Sequence, residues 1–199
     1  MDNEMAGGQL FLDLGMQERP DLLYFALRPN AGAAAAMLDV ARRCKERHGL
    51  SERPFGADRL HVSLVPAISG RGVRRDDAAA AVRAGACVRA APFPVVFDRL
   101  CTFGGAQKRP VVLCSRCRIA ALEELRQALR GELVKAGLWQ GPALFRPHAT
   151  LLWGRRPVPD TRLDEAIGWL CDGFVLVKSL VGQRRHVDLG RWPLDGADG

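Results

Sequence analysis

Histidine occurs four times in the 199 residues, and two of the four stand in one short frame: His61-Val62-Ser63-Leu64 and His148-Ala149-Thr150-Leu151. Each frame is a histidine, a spacer, a hydroxyl residue and an apolar residue. Alternate side chains of a β-strand share a face. In extended backbone His61 and Ser63 therefore point one way, with Val62 and Leu64 opposite, and His148 and Thr150 pair in the same manner. Two such strands side by side put two imidazoles and two hydroxyls into one pocket. That set suits a phosphate ester: one imidazole takes a proton, the other gives one, and the hydroxyls donate to phosphoryl oxygens. Either motif alone reads more readily as a satisfied strand histidine beside a β-forming hydroxyl. The pair is what points to chemistry.

Flanking patterns give the elements that must position them. Leu22 to Leu27 is a compact apolar run and predicts a buried strand. Asn30 is placed to cap a helix through Met37 and Val40 to about His48, stopped by Gly49. The first motif strand is expected near residues 60–66. Gly70-Arg71-Gly72 reads as a flexible connection, and Asp76 and Asp77 open an Ala-rich helix to about Ala90, with acids at its positive end. Phe93–Phe103 and Arg109–Cys114 read as a strand pair around a Gly104-Gly105 turn. Ile119, Leu122, Leu125, Leu129 and Leu133 recur at helical spacing over 118–136. The second motif strand falls near 147–153, a short helix is expected around Leu163–Cys171, and strands over Phe174–Val181 and His186–Trp192 close the chain. A strand and a helix precede each motif strand, an internal echo that predicts two similar lobes about a pseudo-twofold axis.

Composition is that of a globular chain, with 48% hydrophobic and 26% charged residues. Its length accommodates one domain. The expected division is a loose N-terminal arm over 1–19, one two-lobed domain over 20–195 and a tail over 196–199. Lys and Arg number 29 against 22 Asp and Glu, a net charge of +7 that favours polyanionic partners. The start Met1-Asp2-Asn3-Glu4 is unlike a basic signal peptide, and no apolar run approaches the roughly 20 residues of a membrane span. Six cysteines without a zinc-like spacing read mostly as core residues of a reducing compartment. Cys114-Ser115-Arg116-Cys117 lacks the neighbours of a redox dithiol. Two histidines fall short of the three or four ligands of a typical zinc site. A cytoplasmic protein without metal or cofactor is expected.

The paired motifs, 87 residues apart, resemble the 2H phosphoesterase superfamily, and in particular its RNA 2',3'-cyclic phosphodiesterase and 2'-5' RNA ligase (LigT-like) branch. The likeness extends to Tyr24-Phe25-Ala26-Leu27, Arg59-Leu60-His61, Cys101-Thr102-Phe103-Gly104, Arg109-Pro110-Val111-Val112-Leu113, Arg146-Pro147-His148 and Leu189-Gly190-Arg191-Trp192-Pro193-Leu194, covering roughly residues 22–194. It implies an α+β fold of two antiparallel-sheet lobes, helices on the outer faces and a central cleft. It also implies a metal-independent opening of ribose 2',3'-cyclic phosphate to a 2'-phosphate, or 2'-5' ligation of RNA ends at the same site. His148 is then the expected base for water and His61 the acid for the leaving oxygen, with Ser63 and Thr150 on the phosphate. By the same resemblance Phe103 stands near the cleft, where it could stack on a base. Serine replaces the commoner threonine at Ser63. Trp153 stands where relatives often carry a basic residue, so Arg155 or Arg156 is the candidate replacement. Substrates would be RNA ends or cyclic nucleotides, bound by a monomer with no obligate protein partner. A nucleotide- or RNA-binding module without turnover is the competing reading, though a pure binder has no use for two proton-transfer groups.

Overall fold

A computed structural model of the chain describes residues 21–68, 72–104, 109–138, 146–180, 182–183 and 185–196. The arm over 1–19, most of the tail, residues 70 and 71 of the Gly70-Arg71-Gly72 connection and Gly105 of the expected turn lie outside the described residues. Eight strands form one antiparallel sheet: β1 (Leu22–Leu27), β2 (Val62–Ile68), β3 (Phe93–Thr102), β4 (Arg109–Cys114), β5 (His148–Gly154), β6 (Thr161–Cys171), β7 (Gly173–Leu180) and β8 (Arg185–Pro193). Their spatial order is β6-β3-β4-β5-β2-β1-β7-β8. The echo in the sequence becomes two four-stranded halves that meet at β5 and β2, joined in a single sheet rather than standing as two. The seam is thin, with Val62 and Ala149 as its one ladder pair.

Three helices, α1 (Ala31–Arg47), α2 (Arg75–Ala86) and α3 (Ala120–Lys135), cover one face. Asn30 caps α1, its Oδ1 accepting from the Ala33 N–H at 2.9 Å. Asp76 and Asp77 stand in the first turn of α2, complementing the helix dipole. The core is continuous between the helices and the inward residues of the strands, including Phe25, Val62, Leu64, Leu113, Ala149, Leu151 and Phe174. The opposite face carries two small apolar clusters: Ala26, Val175 and Val177 with Tyr24 in one half, and Cys101, Val112 and Cys114 with Phe103 in the other. Helix α2 approaches the sheet closely at Gly85, where an added Cβ would stand 2.8 Å from the Trp192 ring and 2.9 Å from Phe25. A side chain there would overpack the core.

Residues 163–171 form a strand, not the expected short helix. Leu163, Ile167 and Leu170 do fall at helical spacing, but burial alternates in the second half: Ile167, Trp169 and Cys171 are buried while Leu170 is 60% exposed. That is the period of a strand with one covered face. The segment pairs with β3 from Phe93↔Cys171 to Leu100↔Thr161 and forms one edge of the sheet. Among the described residues, no helix is long and apolar enough to cross a membrane.

Candidate active site

The two motif strands are the central pair of the sheet, and the sheet ladder gives their side chains a common face. Counting antiparallel from Val62↔Ala149 sets His61 across from Thr150, and Ser63 across from His148. All four side chains point away from the helices, because the alternating residues Val62, Leu64, Ala149 and Leu151 belong to the core beneath them. The imidazoles occupy one diagonal of the block and the hydroxyls the other.

A β-bulge follows each hydroxyl residue. Ser63 pairs with Ala26 and Val65 with Phe25, leaving Leu64 as the extra residue. Thr150 pairs with Val112 and Leu152 with Val111, leaving Leu151 extra. The bulge lets two consecutive residues, Leu64-Val65 and Leu151-Leu152, enter the core. It therefore anchors the strand immediately beside the histidine and hydroxyl that it presents.

Each imidazole is oriented by the backbone two residues before it. Nδ1 of His61 lies 2.7 Å from the Arg59 carbonyl oxygen, and Nδ1 of His148 lies 2.8 Å from that of Arg146. A carbonyl only accepts, so Nδ1 carries the proton in both rings and Nε2 is the atom left to gain or lose one. His61 Nε2 lies 3.1 Å from Ser63 Oγ, which donates to it when the ring is neutral. Burial pushes the His61 pKa from 6.5 down to about 4, opposed by the Arg59 carbonyl and reinforced by Arg28 and by the neighbouring His186 and His148 rings, which disfavour a further positive charge. His148 is also lowered, chiefly by burial.

Aromatic groups fence the two rings. Phe103 meets the His148 ring edge-to-face at 4.8 Å between centroids, and the Arg146 guanidinium stands 5.1 Å from the Phe103 centroid. Arg146 also donates to the Cys114 sulfur at 3.4 Å, and Cys114 pairs with His148 across the β4–β5 ladder. On the other side, Tyr24 lies 5.2 Å from the His61 ring and His186 lies 5.3 Å from it. Arg28 donates to the carbonyls of Asp58 and Leu60, and it pairs with Asp188 at 2.7 Å. It thereby ties the turn before His61 to β8. A cavity of about 230 Å³ beside Phe103 is lined by Arg109, Arg146, Val158 and Asp160, among others. A larger cleft of about 660 Å³ between α1 and β6 contains neither motif histidine.

The structure thus brings together His61, His148, Ser63, Thr150 and Phe103. It does not bring Arg155 and Arg156 to them. These two follow the far end of β5, seven and eight residues past His148, on the order of 20 Å away along a strand. Both are exposed, and the Arg155 N–H donates to Glu52 at 3.2 Å. Arg146 stands beside His148 instead. The repeated Arg-x-His of Arg59-Leu60-His61 and Arg146-Pro147-His148 was the available signal for these two arginines. His186, which sequence alone gives no reason to separate from a structural residue, packs on His61.

Cys44, Cys101, Cys114 and Cys171 are buried, Cys87 and Cys117 are exposed, and all six are free. Cys114 faces Cys101, at 3.4 Å between sulfurs, rather than Cys117. Among the described residues, no group of three or more His, Cys, Asp or Glu side chains could hold a metal ion.

Comparison with known proteins places the chain in a family and a fold. The sequence model of the 2'-5' RNA ligase superfamily matches residues 29–183. Among solved structures, the chain is similar to E. coli LigT at 24% identity and TM-score 0.70, covering 89% of this chain and 99% of that one. It is similar to a crystal structure described as a phosphoesterase at 25% identity and TM-score 0.70, covering 88% and 99%. The protein TT0787 of Thermus thermophilus shares the fold at 20% identity and TM-score 0.70, with 88% and 99% covered. No curated protein matches the chain.

Proposed function

The chain belongs to the 2'-5' RNA ligase superfamily, and on that premise we propose that it hydrolyses 2',3'-cyclic phosphate ends of RNA or nucleotides to 2'-phosphates. The reaction needs no metal. The observation that carries this reading is the block of two imidazoles and two hydroxyls across the β2–β5 seam, with both Nδ1 atoms held by backbone carbonyls.

In the proposed reaction His148 Nε2 takes a proton from water as the water oxygen attacks phosphorus. The bond from phosphorus to the ribose 3' oxygen breaks, and His61 Nε2 supplies that oxygen's proton. Ser63 and Thr150 donate to the non-bridging oxygens as negative charge builds there. Burial holds His61 neutral before substrate arrives. Its acid role therefore rests on the phosphodiester anion, whose charge favours the imidazolium. Arg146 adds positive charge on the His148 side, and Phe103 offers a ring face to a base. E. coli LigT has been crystallised with ATP, 3'-AMP and NADP+. These are nucleotides, as the proposed substrates are. Ligation of an RNA 5'-hydroxyl to a cyclic phosphate end is the second reading, favoured by the family's description. The hydroxyl then takes the place of water. We read residues 20–195 as one catalytic domain acting as a monomer in the cytoplasm, a setting that the six free cysteines fit.

The test is incubation with 2',3'-cyclic AMP and with a cyclic-phosphate-ended RNA in EDTA, products being identified by phosphate position. A 2'-phosphate is expected, with His61→Ala and His148→Ala each at least ~10²-fold slower. A 3'-phosphate product, loss of activity restored by added zinc, or a double variant as fast as the wild type would overturn the reading.

A further inference from the structure

His186 is a titratable, partly buried group that the proposed reaction leaves unused. It lies on β8 opposite Ser179, and β1 and β7 stand between β8 and the His61 strand β2. Its ring meets that of His61 edge-to-face, 5.3 Å between centroids and 76° between planes. Tyr24 covers His61 from another direction, tilted by 32° at 5.2 Å. The two outer rings also touch each other: Tyr24 and His186 are 6.2 Å apart at 85°, with Tyr24 Oη 3.5 Å from His186 Nε2. The three rings thus close a triangle around one member of the proposed proton-transfer pair. The other nitrogen, His186 Nδ1, is buried without a hydrogen-bond partner. Such a group costs stability, and a phenylalanine would fill the space without that cost.

We propose that His186 is a positioning residue for His61: its ring and that of Tyr24, in contact with each other, form a corner clamp on two adjoining sides of His61 that fixes the ring plane and keeps water from those sides. This role depends on His61 having the function given above. The Arg59 carbonyl fixes only one point of the His61 ring; rotation about that hydrogen bond is limited by the Tyr24 and His186 rings that meet beside it. A clamp that excludes water also holds His61 in the low-dielectric setting that depresses its affinity for a proton. The charged and titratable groups around the pair are Arg28 after β1, Asp58 and Arg59 in the turn before β2, His148 on β5, and Asp188 on β8. Only His148 among these is of a type that titrates near neutrality. His186 is itself held down to about 4, first by burial and then by Arg59 and Arg28, so it remains neutral while His61 cycles.

The experiment compares His186→Ala, His186→Phe and His186→Gln with the wild type by steady-state kinetics on 2',3'-cyclic AMP and by an NMR titration of the His61 ring. Phe keeps the ring against His61, Gln keeps a polar atom for Tyr24, and Ala keeps neither. Ala is expected to lower kcat about tenfold with KM little changed, the signature of lost orientation. Its His61 pKa should rise, because water reaches the exposed face. Phe and Gln should fall between Ala and wild type in kcat. A folded His186→Ala with wild-type kcat and an unmoved His61 titration overturns the clamp. So does a raised KM with kcat intact, which would make His186 a substrate contact. Inactivity of His186→Ala for want of folding would show as lost circular dichroism, and the Phe variant, which keeps the packing, then decides. If His61→Ala itself turns over normally, the failure belongs to the proposed function and not to the clamp.

Discussion

Ser63 Oγ lies 3.1 Å from His61 Nε2, the one ring nitrogen that the Arg59 carbonyl leaves free to titrate. The hydroxyl expected to hold phosphate and the imidazole expected to move a proton therefore satisfy each other. In the proposed reaction a phosphoryl oxygen would draw the hydroxyl away from the ring and so expose Nε2 to the leaving oxygen.

Removing that hydroxyl should affect two readouts. Ser63→Ala is expected to lower kcat by up to ~10²-fold through lost stabilisation of charge on phosphorus. It should also shift the His61 titration, since its hydrogen bond to neutral Nε2 is gone. Thr150→Ala should slow turnover on a similar scale and leave the His61 titration in place. Ser63→Thr should retain most of the rate, because the donor is kept and only a methyl is added. Equal shifts of His61 in both alanine variants would contradict this asymmetry.

Substrate binding should carry protons with it. The His61 pKa is about 4 by burial, so the ring is uncharged at neutral pH, with its proton on Nδ1. A bound phosphodiester anion favours the imidazolium, so binding raises that value and takes up a proton. Affinity for a non-hydrolysable cyclic-phosphate analogue is expected to strengthen as the solution is acidified from mildly alkaline through neutral. Calorimetry in buffers of different ionisation enthalpy should show net uptake near neutral pH. Zero uptake across that range would mean that His61 stays neutral in the complex.

Folding stability should fall on acidification below neutrality. His61 and His186 have folded values of about 4 against 6.5 for an ordinary histidine. Between these values the unfolded chain binds more protons than the folded one. The contribution is complete above pH 6.5 and is lost as pH drops toward 4. Urea midpoints measured from neutral pH down through that window should decline in the wild type and decline less in His186→Phe. Matching slopes for the two proteins would show that His186 does not take part.

The two sets of basic candidates should separate cleanly. Arg155→Ala with Arg156→Ala alters exposed side chains at the far end of β5 and should leave hydrolysis of a cyclic mononucleotide unchanged. Arg146→Ala removes a guanidinium beside Phe103 and His148 and should raise KM about ten- to hundredfold, the scale of a hydrogen bond to a charged group. A raised KM for the mononucleotide in the Arg155, Arg156 variant would put those residues back at the site.

Local pattern carried much of this structure. Strand β1, the Asn30-capped helix, the 93–114 strand pair and both motif strands follow from apolar runs and turn residues, because each buries one periodic face. Residues 163–171 misled for a physical reason: a strand at the sheet edge, with one face uncovered, shows only half a pattern. Leu163, Ile167 and Leu170 completed a false helical one. Ser63, Thr150 and the two motif histidines were legible because they sit in a repeated frame. His186 was not, since its neighbour is created by β8 folding back across β7 and β1, a contact between residues 125 apart in the chain. Arg155 and Arg156 looked close to His148 in sequence, but an extended strand turns each residue of separation into more than ~3 Å.

The seam between β2 and β5 has a mechanical consequence. Each half of the sheet is knitted by long ladders, whereas a single residue pair, Val62 with Ala149, joins them. The gap between the two imidazoles is thus governed by the most compliant joint of an otherwise stiff plate. Each motif belongs to its own half, so a flexing at this joint would widen or narrow the jaws before it disturbed the local geometry of either histidine. In the proposed reaction phosphorus, gripped from both sides, would be the gauge that sets their spacing.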